Sequence, residues 1–347
     1  MSINAMTINT TAPDAAAPGL PQRQYHHSLY AGGRQWWRGL ATILVFVIAF
    51  LIASLALSGI AIAFDVLTGT ATLEDLGAGI LAITPAVFLA NNLALAACIP
   101  IAMLLQWAFF GVRPRFLSSV EGGLRWKLLG RFALVVVPVW LVYVVVLFAI
   151  EPPLAGAEGI TASAIALTVI VLVTTPLQAA GEEYGFRGLV ARSVGSWFAR
   201  PMVALVAGAI VSSIFFSIAH LAADPWLNMY YFAFGITMSI LAWRTGGLEA
   251  AILIHATNNM FLLLPTVLFG DVGSIFERGE GTGGPAILLP MAMLVIMTVL
   301  LSWWAKRLGA VREIVPPSVR GTAPLLPGTP PAAPDTAPAA AHAELPN

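Results

Sequence analysis

Two adjacent carboxylates and an arginine, Glu182, Glu183 and Arg187, stand in the stretch GEEYGFRG, directly after the apolar run SAIALTVIVLVTTPLQAA. An ionisable group at the centre of a membrane helix costs on the order of 3 kcal/mol, so residues kept there usually face a polar interior and do chemistry or transport. Glu183 and Arg187 are four apart, share one helix face and can pair, with the acid N-terminal to the base. Glu182 is turned about 100° away, so one carboxylate can be neutralised structurally while the other stays free to take a proton. Phe216 and His220 repeat the four-residue spacing in SSIFFSIAHL, where the ring can wall a pocket, and His255 and Asn259 repeat it in LIHATNN. A base for water, with imidazole or amide N–H groups aimed at a developing oxyanion, is what peptide hydrolysis needs. Glu182, His220, His255 and Asn259 are also a set able to hold a divalent ion such as Zn2+ with water in an open position. There is no HExxH, and the same four side chains can work without an ion.

The elements that carry these residues are membrane helices. The chain of 347 residues is 59% hydrophobic and 10% charged, far below the roughly one quarter charged residues of soluble domains. A net charge of zero argues against nucleic acid as a partner. The first apolar run starts near residue 39 and is about 25 residues long, too late and too long for a cleaved signal peptide. Eight spans are expected, near 39–64, 83–109, 132–151, 160–186, 201–222, 226–243, 248–269 and 285–305. With the N-terminus cytoplasmic, the inner segments hold 16 of the 17 basic residues and the outer loops hold Arg278 alone. That asymmetry orients an all-α polytopic bundle with both termini in the cytoplasm, an integral multi-pass protein surrounded by lipid.

Residues 1–38 read as a disordered or interfacial tail apart from GGRQWWR, 39–308 as the bundle with a catalytic core near 165–265, and 309–347 as a Pro/Ala-rich disordered tail. Helix heights pose a problem. Glu182 and His220 fall level when the chain turns at Arg200-Pro201, but His255 lies only nine residues past the Gly246-Gly247 turn. All three coincide only if the 187–210 hairpin projects beyond the bilayer or bends along its surface, with PMVALVAGAI packed back on GLVARSVGSWFA.

Other polar residues have plain structural readings. A lone histidine in an apolar helix is usually a packing residue, and Asn91, Asn92 and Asn258 suit hydrogen bonds between helices. Glu249 at a helix start complements the dipole. Cys98, the single cysteine, reads as a buried structural thiol. Gly270-Asp271 lies in an outer loop without the second aspartate that an aspartyl protease needs.

E-E-x-x-F-R-G, F-x-x-x-H and H-x-x-x-N, in this order and each in a membrane helix, resemble the CAAX-protease and bacteriocin-processing (Abi) family of intramembrane endopeptidases, treated as metalloproteases. The resemblance covers roughly residues 165–265. It implies Glu182 as the base that activates water, His220 as a holder of that water, and Glu183 with Arg187 as a supporting pair. His255 and Asn259 would stabilise the oxyanion, and the substrate would be a membrane-associated peptide or protein cut near the cytoplasmic boundary. An ion- or proton-coupled transporter is the alternative from another class, although no internal repeat is visible. A catalytically silent scaffold or immunity protein of the same fold is a third reading.

Overall fold

A computed structural model describes residues 23–30, 35–78, 82–150, 161–269, 273 and 277–314. The first element, α1 (Trp36–Thr68), is apolar on all sides and ends at Gly69, whose φ of 74° is the left-handed conformation that closes a helix most cheaply with glycine. A short α2 (Leu73–Gly77) begins with a reciprocal Thr72–Asp75 capping box. α3 (Pro85–Ala96) starts at the Thr84 cap with Pro85 in the first turn, and α4 (Cys98–Phe110) continues it after a turn at Ala97. The single span expected near 83–109 is thus two stacked helices. Pro100 supplies no N–H to the carbonyl four residues earlier, which explains a break at this point.

Next come α5 (Trp126–Ile150) and α6 (Ala162–Glu183), the latter capped by the Thr161 hydroxyl. α6 runs without interruption into a π-helical segment, Tyr184–Val190, and then α7 (Ala191–Gly195). α8 (Pro201–Ala219), α9 (Pro225–Thr245), α10 (Glu249–Phe269) and α11 (Leu288–Arg307) complete the bundle. Seven helical segments among the described residues are long and apolar enough to cross a membrane, α3 and α4 counting as one; α9 falls short in hydropathy.

The ends of the bundle show that α9 crosses too. Strand β1 (Arg23–Gln24) pairs antiparallel with β2 (Glu313–Ile314), so the chain enters and leaves on the same face. The number of crossings is therefore even. α9 starts beside the opposite face, where Ala223 N donates to the Arg278 carbonyl at 2.8 Å, and ends where Gly246 abuts the backbone of Val311. It is the eighth span.

One face is firmly tied. Val120 N donates to the Gly246 carbonyl at 3.0 Å and Leu248 N to the Ser118 carbonyl at 2.9 Å. Arg125 grips Glu249 through Nε to Oε1 at 2.9 Å and Nη2 to Oε2 at 2.7 Å, and Arg125 Nη1 reaches the Val311 carbonyl at 3.0 Å. Glu249 is fully buried, so it does more than complement a helix dipole.

The N-terminal leader departs from the expected tail. Tyr25 is 1% exposed, and its hydroxyl donates to the Leu117 carbonyl. The rings of His26 and His27 bond the carbonyls of Pro201 and Phe198, each at 2.9 Å. Arg192 donates to Ser28 Oγ at 2.6 Å and Gln106 Oε1 at 2.7 Å, with its guanidinium 4.6 Å from the centre of the Tyr25 ring. A buried guanidinium far from water needs such acceptors, and residues 23–30 bring some of them. Residues 1–22 and 315–347, which hold the rest of both expected tails, lie outside the described residues.

Two outcomes follow. Arg125→Leu strands the buried Glu249 carboxylate and lowers stability by about 3–5 kcal/mol, seen as a fall in detergent melting temperature; an unchanged melt contradicts the pairing. Burial pushes the His26 imidazole down to about 4 from 6.5, although its bond to Pro201 acts the other way. Between those values the unfolded ring binds more protons than the folded one. The anchoring contributed by His26 is therefore full above pH 6.5 and lost as pH falls toward 4. The protection factors of residues 23–30 against hydrogen exchange fall as pH drops through that window, and His26→Gln flattens the response.

Candidate active site

The position of the acidic motif begins with close contact between helices. Asn92 Nδ2 donates to Thr174 Oγ1 at 2.8 Å and Thr175 Oγ1 at 3.2 Å, fastening α3 to α6. A Cβ on Gly181 would overlap the Leu95 carbonyl oxygen, and one on Gly185 would lie 2.6 Å from the Phe46 ring. GEEYGFRG thus sits where only glycine lets the backbones approach. Across Glu183-Tyr184 the α-helix widens into the π segment, a local form found mostly at functional positions.

Glu183 is fully buried and its Oε1 has two partners. Arg187 Nη1 donates to it at 3.0 Å and His255 Nδ1 at 2.7 Å, which leaves His255 Nε2 directed elsewhere. The Arg187 guanidinium lies 4.3 Å from the centre of the Phe216 ring, so the charge is walled by aromatic surface. Glu182 faces the other way. Its Oε1 accepts a short hydrogen bond from Gln178 Nε2, and its Oε2 lies 3.8 Å from His255 Nε2 with no hydrogen-bond partner among the described residues.

A cavity of about 780 Å³ opens on that pair, and Glu182, His220, His255 and Asn259 all line it. His220 stands at the end of α8, where its Nδ1 donates to the Phe216 carbonyl at 2.7 Å and its ring stacks on Tyr231 with centroids 3.9 Å apart. Asn259 Nδ2 donates to Gln178 Oε1 at 3.2 Å; Asn258 Nδ2 donates to Asn259 Oδ1 at 3.2 Å, and Asn258 Oδ1 accepts from Trp140 Nε1 at 3.3 Å. The amides form a chain ending at Glu182. All six residues singled out from the sequence meet here, with Glu183 and Arg187 behind the wall rather than in it.

The height problem has a structural answer. Ala162–Gly195 is one continuous helical element of 34 residues, about 50 Å at 1.5 Å per residue and well beyond a 30 Å hydrocarbon core. An element of that length outruns the hydrocarbon, and the start of α1 keeps level with its far end, where Trp197 Nε1 donates to the Trp36 carbonyl at 2.9 Å. Gly208 lies against the Ala191 carbonyl, which packs α8 back on α7. Residues 23–30 cover the tip.

Several contributors carried no strong sequence signal. Gln178 is detectable only as the residue four before Glu182; Trp140 and Tyr231 belong to other helices. Asn92 bonds between helices, and it lines the cavity together with Asn91 and the buried Cys98. Gly270 and Asp271 lie outside the described residues.

The donor set also bears on an ion. Among the described residues no three His, Cys, Asp or Glu side chains converge as a ligand set. Glu182, His220, His255 and Asn259 line one cavity, but they do not close into the ligand set of a catalytic zinc centre. As placed, the residues do not fit such a centre, and no step below runs through one.

Residues 163–261 match the family described as type II CAAX prenyl endopeptidase, Rce1-like. The resemblance read from the three motifs thus holds over the segment that carries them. A Bacillus subtilis (strain 168) protein described as uncharacterized protein YyaK is 25% identical over 167 residues, covering 46% of this chain and 56% of that protein. The chain therefore spans little more than half the length of this curated relative. No solved structure matches it.

Arg187→Leu leaves the Glu183 carboxylate buried with His255 alone and costs about 3–5 kcal/mol. Glu182→Gln keeps the shape and can still bond Gln178, so its melting temperature stays near wild type. Thermal unfolding of the two purified variants decides: equal melts mean that Glu183 is not held by Arg187.

Proposed function

Starting from a core segment of the type II CAAX endopeptidase-like family, we propose that the protein is an intramembrane endopeptidase that hydrolyses a peptide bond of a membrane-associated peptide or protein. One observation carries the reading: Glu182 Oε2, without a hydrogen-bond partner among the described residues, faces His255 Nε2 across 3.8 Å at the wall of the cavity. A water at hydrogen-bonding distance from both atoms fits that gap.

Glu182 takes a proton from this water as its oxygen attacks the peptide carbonyl carbon. His220 donates through Nδ1 to the Phe216 carbonyl, so its Nε2 carries the lone pair and accepts from the same water. The carbonyl oxygen becomes an oxyanion beside the second N–H of Asn259 and the His255 ring. The Glu183 carboxylate behind His255 fixes the orientation of that ring toward the reacting atoms. Collapse of the tetrahedral intermediate breaks the C–N bond, and Glu182 returns its proton to the leaving nitrogen. Arg187 touches no reacting atom in this scheme; it positions Glu183 and thereby the imidazole.

Glu182→Gln lowers kcat/KM for cleavage of a membrane-spanning peptide by about 10²–10⁴-fold while the protein still folds and inserts. Purified protein in detergent, assayed beside this variant with and without chelator, provides the measurement. Full activity in the variant removes Glu182 as the base. A flux of ions or protons lost in the variant, with no peptidase activity in the parent, supports a transporter instead.

A further inference from the structure

The charges and the cavity occupy opposite ends of the bundle. Arg38, Arg113, Arg125, Arg244, Arg307 and Arg312 gather on the face where β1 pairs with β2. The cavity runs away from it. On α10, His255 lies six residues past Glu249 and Thr266 lies 17 past it, roughly 9 and 25 Å along the axis. On α9 the wall reaches Leu227, 18 residues before Thr245 and so roughly 27 Å from the basic face. The lining continues to exposed Thr282 and to Arg278, which donates to the His220 carbonyl at 2.7 Å.

Toward the basic face the site is closed. Leu117, Leu189 and Leu248 are fully buried beneath it, and Tyr184, 3% exposed, shares a 2.6 Å hydrogen bond with Ser118. The antiparallel bridge of Ser119 with Gly247 and the packed residues 23–30 lie below that layer.

Basic residues mark the cytoplasmic face of a polytopic protein. We propose that the site is loaded from the extracytoplasmic side, and that its substrate is an apolar polypeptide segment that enters from the outer half of the membrane and reaches inward to Glu182 and His255. This reverses the cytoplasmic-boundary cleavage expected from the sequence. Phe50, Phe88, Leu147 and Leu262 give the cavity apolar walls suited to such a segment. The substrate half rests on the endopeptidase reading; the side of entry rests on charge and cavity shape alone.

The test labels single cysteines in the full chain with a charged, membrane-impermeant methanethiosulfonate. Cys98, the one native thiol, is first replaced by serine. Thr266→Cys and Thr282→Cys then react at least tenfold faster in intact cells than in inverted vesicles, and Glu121→Cys on the basic face does the reverse. Thr266→Cys labelled from the Glu121→Cys side, or from neither side, overturns the proposal, as does Thr282→Cys labelling on the same side as Glu121→Cys. In proteoliposomes of known orientation, spanning peptides with a cleavable reporter at one end or the other complete the test. Cleavage confined to the end on the Thr282 side supports the substrate class, and cleavage at the basic-face end overturns it. Outside labelling with neither peptide cut overturns the endopeptidase reading and the substrate class with it, while the side of entry stands.

Discussion

The architecture depends on one buried carboxylate oxygen. Glu183 Oε1 holds the buried Arg187 guanidinium on one side and the His255 imidazole, at the cavity wall, on the other. Each of these groups alone would cost several kcal/mol to bury, and removing one strands the others. The arrangement is therefore all or nothing. It joins the 162–195 element to α10, the most extensive helix contact of α10 being with α6. With His255 Nδ1 committed to Glu183, Nε2 is directed toward Glu182. The structural acid thus orients the ring on which the free acid acts.

The backbone around this oxygen is as constrained as the charges. An ordinary α-helix through Tyr184–Val190 would continue with 100° per residue, whereas the π segment adds a residue to the turn and shifts everything after it. Glu182 and Glu183 lie before that shift and Arg187 within it, so the rotation reaches the guanidinium but not the two acids. Phe216, Phe234 and Phe186 surround Arg187 on the side away from Glu183. Their rings present negative faces to a cation held well away from water. Gly181 and Gly185 leave the space for α3 and α1 to approach this segment.

Much of this was legible in the sequence, for physical reasons. Apolar runs in a membrane protein have sharp ends, so 248–269 and 201–222 fall within a few residues of α10 and α8. The costly polar residues stand out against an apolar background, and their four-residue spacings put each pair on one face. Contacts made across helices were not legible. Trp140 reaches Asn258, and Tyr231 reaches His220, only through helix rotations that no local pattern encodes. RQYHHSLY looks like a polar tail because its burial depends on distant groups: Arg192, and the Pro201 and Phe198 carbonyls at the 187–210 hairpin. The sixteen-to-one charge count placed Arg187 and Arg192 among the inner-segment cations, yet both are buried. The orientation survives without them, because the remaining bias is still large.

The position of the site within the bilayer follows from where the bundle is tied. At the basic face, hydrogen bonds and a bidentate ion pair link residues 117–125 to 245–249 and to Val311, so α9, α10 and α11 have fixed ends there. A catalytic constellation needs its groups held to within a fraction of an ångström, and His255 sits only six residues from that anchor. At the other end, Asp224 is bonded to Trp226 and Leu227 of its own helix and to Gly281 of one neighbouring loop. A chain that must admit a polymer to a rigid acid–imidazole pair is best built this way round, with the chemistry beside the fixed end and the entrance at the other.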